Sequence, residues 1–173
     1  MTTICERSER LDDWKQFAFE IKPVVNYSMR ALCAKPYPGH KKGCPKFNSG
    51  HTGCPPDAPL FDRHFDMAAS IYAVINEFDI KTHMEKLASN NPKWSERQLR
   101  CCLYWQATAR KQLAEKINIV LALDKFKDYV ATTCPEAMGV NISETLHKIG
   151  INLEWPPVNV ARQVAIIAKR LRK

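Results

Sequence analysis

Seven cysteines are distributed along this 173-residue sequence, and three of them stand directly before a proline. Proline fixes the backbone beside the thiol, and a glycine before the cysteine lets the chain bend tightly around a bulky inorganic group. A Cys-Pro step also closes the cysteine run of bacterial ferredoxins. The pattern therefore predicts a metal or iron–sulfur site. The three steps are Cys44-Pro45 and Cys54-Pro55, each preceded by glycine, and Cys134-Pro135.

The spacing of the cysteines favours an iron–sulfur cluster over a single ion. Ten residues separate Cys33 from Cys44, nine separate Cys44 from Cys54, and the sequence contains no C-x-x-C. Structural zinc usually joins cysteines two to four residues apart, whereas widely spaced thiols suit a larger object such as a 4Fe-4S cluster. Cys134 is the candidate fourth ligand. Four ligands would suit a structural or electron-transfer role, and three would leave one iron open to substrate.

Two other interpretations of the same cysteines stay open at this stage. The first is a zinc-stabilised nucleic-acid-binding module in which His40 or His51 completes the ligand set. The second is a structural or partner-binding domain whose thiols are reduced and carry no metal. Cys101 and Cys102 are interpreted as core residues of a helix, since free cysteine packs as a small hydrophobe.

Composition limits the class of protein. An apolar content of 45% is enough for one ordinary domain, and we expect a single domain over 1–173. The first residues lack the apolar stretch of a secretion signal, and no apolar run reaches the roughly 20 residues of a membrane span, so a cytoplasmic protein is predicted. The net charge of +8 favours an anionic partner such as a nucleotide or RNA.

The elements that must position these cysteines are predicted from hydrophobic periodicity. Apolar runs at 24–29, 71–75 and 129–133 indicate strands. Helical spacing indicates a first helix over 9–20, another over 78–87, a long helix launched by the capping box at 95–98, a short one between Asn141 and Gly150, and a basic C-terminal helix over 159–173. The predicted class is α/β or α+β, a small sheet packed by helices.

The region of about 33–60 is predicted to be a long metal-binding loop. It is rich in proline and glycine and carries several basic residues, so regular structure is not expected. A metal would supply ordering free energy there, because ligands that converge only in the folded state couple metal binding to folding. Glu136 and Glu154 are candidate acids or bases, without a reaction to assign to them.

Two segments of the chain resemble an uncharacterised prokaryotic family described as predicted metal-binding proteins. The resemblance rests on the loop that ends in Cys54-Pro55-Pro56 and on the run from Cys134-Pro135-Glu136 through Gly139 to Ile142, followed by a short helix and Gly150. It implies metal binding through Cys44, Cys54 and Cys134, with Cys33, and it implies no reaction. This chain has one distal cysteine where the family has several, and Asn141 stands at the family's acidic position.

Overall fold

The structure, a computed structural model, describes residues 13–36 and 41–172. Four strands in those residues form one antiparallel sheet in the order β1-β2-β4-β3. With the helices packed on this sheet, the protein is an α+β domain, which confirms the predicted class. The strands are β1 (Ala18–Ile21), β2 (Ile71–Asp79), β3 (Tyr129–Thr132) and β4 (Val160–Lys169). The α-helices are α1 (Phe61–His64), α2 (Ile80–Asn90), α3 (Glu96–Leu99), α4 (Gln106–Leu121) and α5 (Ile142–His147).

The central strand β4 replaces the basic helix predicted over 159–173, and that prediction is wrong. β4 pairs with β2 from Tyr72↔Ile167 to Asp79↔Val160. Its four consecutive residues from Ala165 to Ala168 are all buried, because both faces of the sheet are covered. A strand covered on both faces is a continuous apolar run, and such a run also contains apolar residues at helical spacing.

One face of the sheet is covered by α4. The helix turns a stripe of apolar residues toward β2 and β4, and the buried side chain of Asn76 fixes their relative position. Its Nδ2 donates to the Ala109 carbonyl oxygen at 3.1 Å and to Gln112 Oε1 at 3.2 Å. Because a buried amide needs hydrogen-bond partners, these two bonds fix the position of the helix along the sheet. The stripe on α4 consists of Ala109, Leu113, Ile117 and Val120.

The long helix predicted from Ser95 is interrupted. The capping box at Ser95 launches only the single turn of α3, a 3-10 turn follows at Cys102–Tyr104, and α4 begins at Gln106. The break occurs where Trp105, at φ −125°, stacks on Phe78 of β2 with ring centroids 5.6 Å apart. Cys102 is exposed, so its assignment to the core is wrong, and Cys101 is half-buried.

The opposite face of the sheet is covered by α1, α5 and the segment before α5. Their apolar side chains pack on Ala73, Ile75 and Ile166. The same face holds the segment after β1, because Val25 forms an isolated antiparallel bridge with Val140. This packing brings residues 24–34 against residues 136–145. The covering side chains include Phe61, Phe65, Met138, Val140, Ile142 and Leu146.

Two predicted elements near the N-terminus take other forms. The strand predicted at 24–29 is limited to the bridge at Val25, and a 3-10 helix occupies Tyr27–Ala34, capped by the Asn26 side chain, which accepts from the Ser28 backbone N–H. Of the helix predicted over 9–20, residues 9–12 lie outside the described residues. The remainder forms a 3-10 turn at Asp13–Gln16 and then β1.

The turn from β2 into α2 carries a charged cap. The Asp79 side chain accepts from the Thr82 backbone N–H at 2.9 Å and from its hydroxyl at 2.7 Å. These two hydrogen bonds hold the pKa of Asp79 below its usual value, and the bond from the Thr82 backbone N–H has the larger effect.

No helix in the described ranges combines the length and the apolar composition that crossing a membrane requires.

Candidate metal centre

The first pair of candidate ligands is joined by the backbone. Cys33 lies near the end of the 3-10 helix Tyr27–Ala34, and its carbonyl oxygen accepts from the Cys44 backbone N–H at 2.7 Å. Gly43 precedes Cys44 at φ +82°, and a Cβ at this glycine would lie 2.7 Å from the Cys33 carbonyl oxygen. Only glycine permits so close an approach in this conformation, which explains the glycine before this Cys-Pro step.

Each of the three Cys-Pro steps opens a turn. The carbonyl oxygen of each cysteine accepts a hydrogen bond from a backbone N–H three or four residues later, and proline at the second position of a turn favours this conformation. The thiol is therefore carried at the start of a rigid turn in all three cases. The donors are Phe47 to Cys44 at 3.0 Å, Ala58 to Cys54 at 2.8 Å and Ala137 to Cys134 at 3.1 Å.

Residues 41–60 contain turns and bends but no helix or strand. Hydrogen bonds nevertheless connect this part of the loop to itself and to the N-terminal segment. The Asn48 backbone N–H donates to the Pro55 carbonyl oxygen at 2.9 Å, and Arg30 Nη2 donates to the Pro56 carbonyl oxygen at 2.8 Å. These contacts hold the turn of Cys54 close to the helix that carries Cys33.

The distal candidate ligand, Cys134, lies just after the last strand residue of β3. Cys134 stands two residues beyond β3, where its Sγ lies 4.0 Å from the Thr133 hydroxyl. The following 3-10 turn, Glu136–Met138, ends at Gly139 with φ +91°. A Cβ at Gly139 would lie 2.7 Å from Tyr27 Cδ1, so glycine again permits a close approach, here between the distal segment and the helix of Cys33. The Asn26 backbone N–H donates to the Gly139 carbonyl oxygen at 2.7 Å.

The four thiols lie in one electrostatic neighbourhood. Burial raises the pKa of Cys33, and the charges of Cys44, Cys54, Glu136 and Cys134 raise it further. Burial also raises the pKa of Cys54, followed by the charges of Cys134 and Cys44. Backbone hydrogen bonds connect the segments that carry these thiols, from the Cys44 N–H to the Cys33 carbonyl oxygen and from the Asn26 N–H to the Gly139 carbonyl oxygen. We call Cys33, Cys44, Cys54 and Cys134 the thiol cluster.

The zinc interpretation names two histidines, and the structure describes one of them, His51, whose carbonyl oxygen accepts from the Cys54 backbone N–H at 2.8 Å. His51 is exposed, and its Nδ1 accepts from the Gly53 backbone N–H at 3.3 Å. His40 lies outside the described residues. Among residues 13–36 and 41–172, no three histidine, cysteine, aspartate or glutamate side chains are grouped so that they could hold a metal ion as they stand.

The chemistry of the thiol cluster suits a soft metal centre. The described cysteines are free thiols. Thiols gathered closely resist ionisation because each thiolate repels the next, and a cationic centre would reverse this effect while releasing protons. Thiolate is the ligand that iron–sulfur clusters and zinc share. Cys33, Cys44 and Cys54 are half-buried and Cys134 is exposed, so the cluster is reachable from solvent on the side of Cys134.

A cavity of about 460 Å³ adjoins the thiol cluster and was not predicted from the sequence. Cys134 and Glu136 lie in its wall, and burial raises the pKa of the Glu136 carboxyl. Residues of α4 and β4 form the opposite wall. The sequence signal that points to it is the helical spacing of Gln106, Arg110, Leu113 and Ala114, which share one edge of α4.

No known family, curated protein or solved structure matches this chain. The assignment of a function therefore depends on the site itself.

Proposed function

We propose that this protein binds an iron–sulfur cluster, of the 4Fe-4S type, through Cys33, Cys44, Cys54 and Cys134, and that it works in the cytoplasm. The observation that carries the proposal is that backbone hydrogen bonds join the three separate parts of the chain that carry the four thiols. The Cys44 N–H donates to the Cys33 carbonyl oxygen at 2.7 Å, and the Asn26 N–H donates to the Gly139 carbonyl oxygen at 2.7 Å. Free cysteines that serve only packing are buried singly in apolar cores. Cys44, Cys54 and Cys134 instead lie at the start of turns, and Cys134 is exposed.

The geometry of the backbone also supports a group larger than one ion. Structural zinc sites use cysteines held two to four residues apart on one turn, whereas Cys44, Cys54 and Cys134 each begin a separate turn and Cys33 lies in a 3-10 helix. An iron–sulfur cluster receives one thiolate at each corner and tolerates wide sequence spacing. When bound, such a cluster supplies either electron transfer or, with one iron lacking a protein ligand, a Lewis-acid position.

Cys134 is the ligand that separates these two roles. It is the exposed member of the thiol cluster, and it also lines the adjoining cavity. If it binds iron, the protein closes the cluster; if it does not, the open iron faces the cavity. With three protein ligands, the protein would be an enzyme that acts on an anionic ligand. With four protein ligands, no enzymatic activity would be needed to explain the cluster.

Anaerobic purification followed by iron and acid-labile sulfide analysis tests the proposal. We expect a brown protein with thiolate-to-iron charge-transfer absorbance and equal amounts of iron and sulfide. Cys54→Ser should remove most of this absorbance. Cys102→Ser is the matched control, because Cys102 is exposed and belongs to a different region of the chain, and it should retain the cluster.

A colourless protein that retains zinc through the same cysteines would contradict the proposal and favour the zinc-stabilised nucleic-acid-binding module. A metal-free protein whose melting temperature is unchanged when Cys44 and Cys54 are replaced by serine would favour unliganded thiols. Spectroscopy of Cys134→Ser then distinguishes three protein ligands from four, since an open iron changes the magnetic signature of the cluster.

A further inference from the structure

The cavity beside Cys134 exists because β3 is shorter than its neighbour. β3 pairs with β4 only as far as Thr132↔Ile166, and the chain then turns away through Thr133 and Cys134. The part of β4 before Ala165 therefore has no neighbouring strand on this edge within the described residues. Residues of α4 line the space beside this edge, and so do Leu153 and Trp155 from the loop before β4.

A second, smaller cavity continues the first one. Its volume is about 150 Å³, and it shares Gln106, Trp155 and Gln163 with the larger cavity. Trp105 lines only the smaller one, and Arg110 and Cys134 line only the larger one. The two volumes form one elongated site, with an inner end at Trp105 and an outer end at the thiol cluster. The larger volume lies within the roughly 300–1,000 Å³ of small-molecule sites.

The inner end offers an unpaired donor and an unpaired acceptor. Trp105 Nε1 and Gln163 Oε1 are both buried, and neither has a hydrogen-bond partner in the described part of the chain. Buried polar atoms without partners are rare and costly, and they often mark the place of a ligand or a bound water. A donor and an acceptor from the lining of one cavity match, in type, the hydrogen-bonding edge of a nucleobase. Trp155, 76% exposed at the entrance, presents an indole face for stacking.

The outer end holds two arginines, Arg162 and Arg110, which differ in their partners within the described residues. Arg162 is occupied, since its Nε donates to Glu77 at 2.7 Å and its Nη1 to the Asn152 carbonyl oxygen at 2.9 Å. Arg110 has no hydrogen bond or ion pair to any described residue. Its guanidinium can therefore bind a phosphate with two parallel hydrogen bonds.

We propose that the joined cavity binds a nucleoside monophosphate, with the base in the inner cavity between Trp105 and Gln163, Trp155 stacked at the entrance, and the phosphate at Arg110. The placement of the ligand beside the cluster thiol Cys134 rests on the proposed function. Binding itself uses none of the cysteines, so it is testable in the metal-free protein.

Isothermal titration of the full chain with AMP, GMP, CMP and UMP, and with the matching nucleosides, tests the inference. At least one monophosphate should bind. Arg110→Gln should weaken its binding about ten- to a hundredfold and leave nucleoside binding unchanged, because only the phosphate contact is lost. Lys111→Gln removes the same charge from the next residue of α4, which lines neither cavity, and should change the dissociation constant less than about twofold.

Trp155→Ala probes the other end of the ligand and should weaken nucleoside and nucleotide alike, by about five- to a hundredfold. The inference is overturned if no monophosphate binds, or if Lys111→Gln weakens binding as much as Arg110→Gln. Both results are to be read on metal-free and iron-reconstituted protein. If the protein binds a nucleotide but takes up no cluster on reconstitution, the proposed function alone fails. If it takes up a cluster but binds no nucleotide, this inference alone fails.

Discussion

Gly43→Ala is expected to damage the thiol cluster through backbone geometry, without touching any sulfur. Two costs add at this position. The left-handed conformation at φ +82° costs an alanine about 1–2 kcal/mol. The new Cβ would also lie 2.7 Å from the Cys33 carbonyl oxygen and from the backbone of Ala34, so the hydrogen bond from the Cys44 N–H to that oxygen must break or lengthen. Its loss adds about 0.5–1.5 kcal/mol.

Gly50→Ala is the matched control, because the chain offers a second loop glycine in the same conformation. Gly50 has φ +73°, and nothing lies within 4 Å of a Cβ built there. The free energy of unfolding of this variant should therefore fall only by the conformational cost of about 1–2 kcal/mol. The expected total for Gly43→Ala is about 1.5–3.5 kcal/mol. The difference between the two variants isolates the close contact with the segment that carries Cys33.

Urea denaturation followed by circular dichroism measures both variants, and hydrogen exchange at the Cys44 amide reports the loop when it opens without global unfolding. Exchange at this amide should accelerate strongly in Gly43→Ala and little in Gly50→Ala. Iron reconstitution should fail in the first variant and succeed in the second. Equal losses of stability in the two variants, with equal protection of the Cys44 amide, would refute the close approach of these two segments.

Three further predictions concern the frame around the site. Asn76→Ala should lower the free energy of unfolding by about 1–3 kcal/mol in urea titrations, since two hydrogen bonds to α4 are lost, whereas the exposed Asn118→Ala should change it little. Phe126→Ala should cost about 3–5 kcal/mol, because this ring is 1% exposed in the core beneath α4; a loss below 1 kcal/mol would mean that the core is misplaced. The pKa of Asp79 is lower in the folded protein than its usual value of 3.8. The ionised Asp79 therefore stabilises the fold above pH 3.8, and this stabilisation is lost as the pH falls through the pKa of the folded state. Asp79→Asn keeps a capping oxygen but does not titrate, so the stability of this variant relative to the natural protein should rise as the pH falls below 3.8.

The sequence predicts local signals well and the partners of each strand poorly. The buried run at 71–75, the cap at Asn141 and the strand before Cys134 are correctly predicted because each depends on residues close in the chain. The helix predicted over 159–173 is wrong because its apolar residues also satisfy a strand, and only pairing with β2 decides between the two. The long helix from Ser95 is wrong because Trp105 turns inward to stack on Phe78, which is a tertiary contact.

In the candidate site, too, the local features follow from the sequence and the tertiary contacts do not. The Cys-Pro pattern indicates a fixed backbone beside each thiol, and in the structure each of the three steps opens a turn. The gathering of Cys33 and Cys134 depends instead on the bridge between Val25 and Val140, which joins segments far apart in the chain. The cavity depends on where β3 stops pairing with β4, and no local pattern encodes that point.

The central place of β4 has a consequence for how the molecule is made. On the ribosome, β2 emerges long before β4, although the two are the most extensively paired strands of the sheet. Until β4 follows, one edge of β2 and the part of the α4 stripe that packs on β4 have no partner, and contacts between such distant parts of a chain form slowly. The nascent polypeptide is thus most exposed to aggregation or proteolysis late in its synthesis, and the thiols of the loop are translated well before the frame that gathers them is complete.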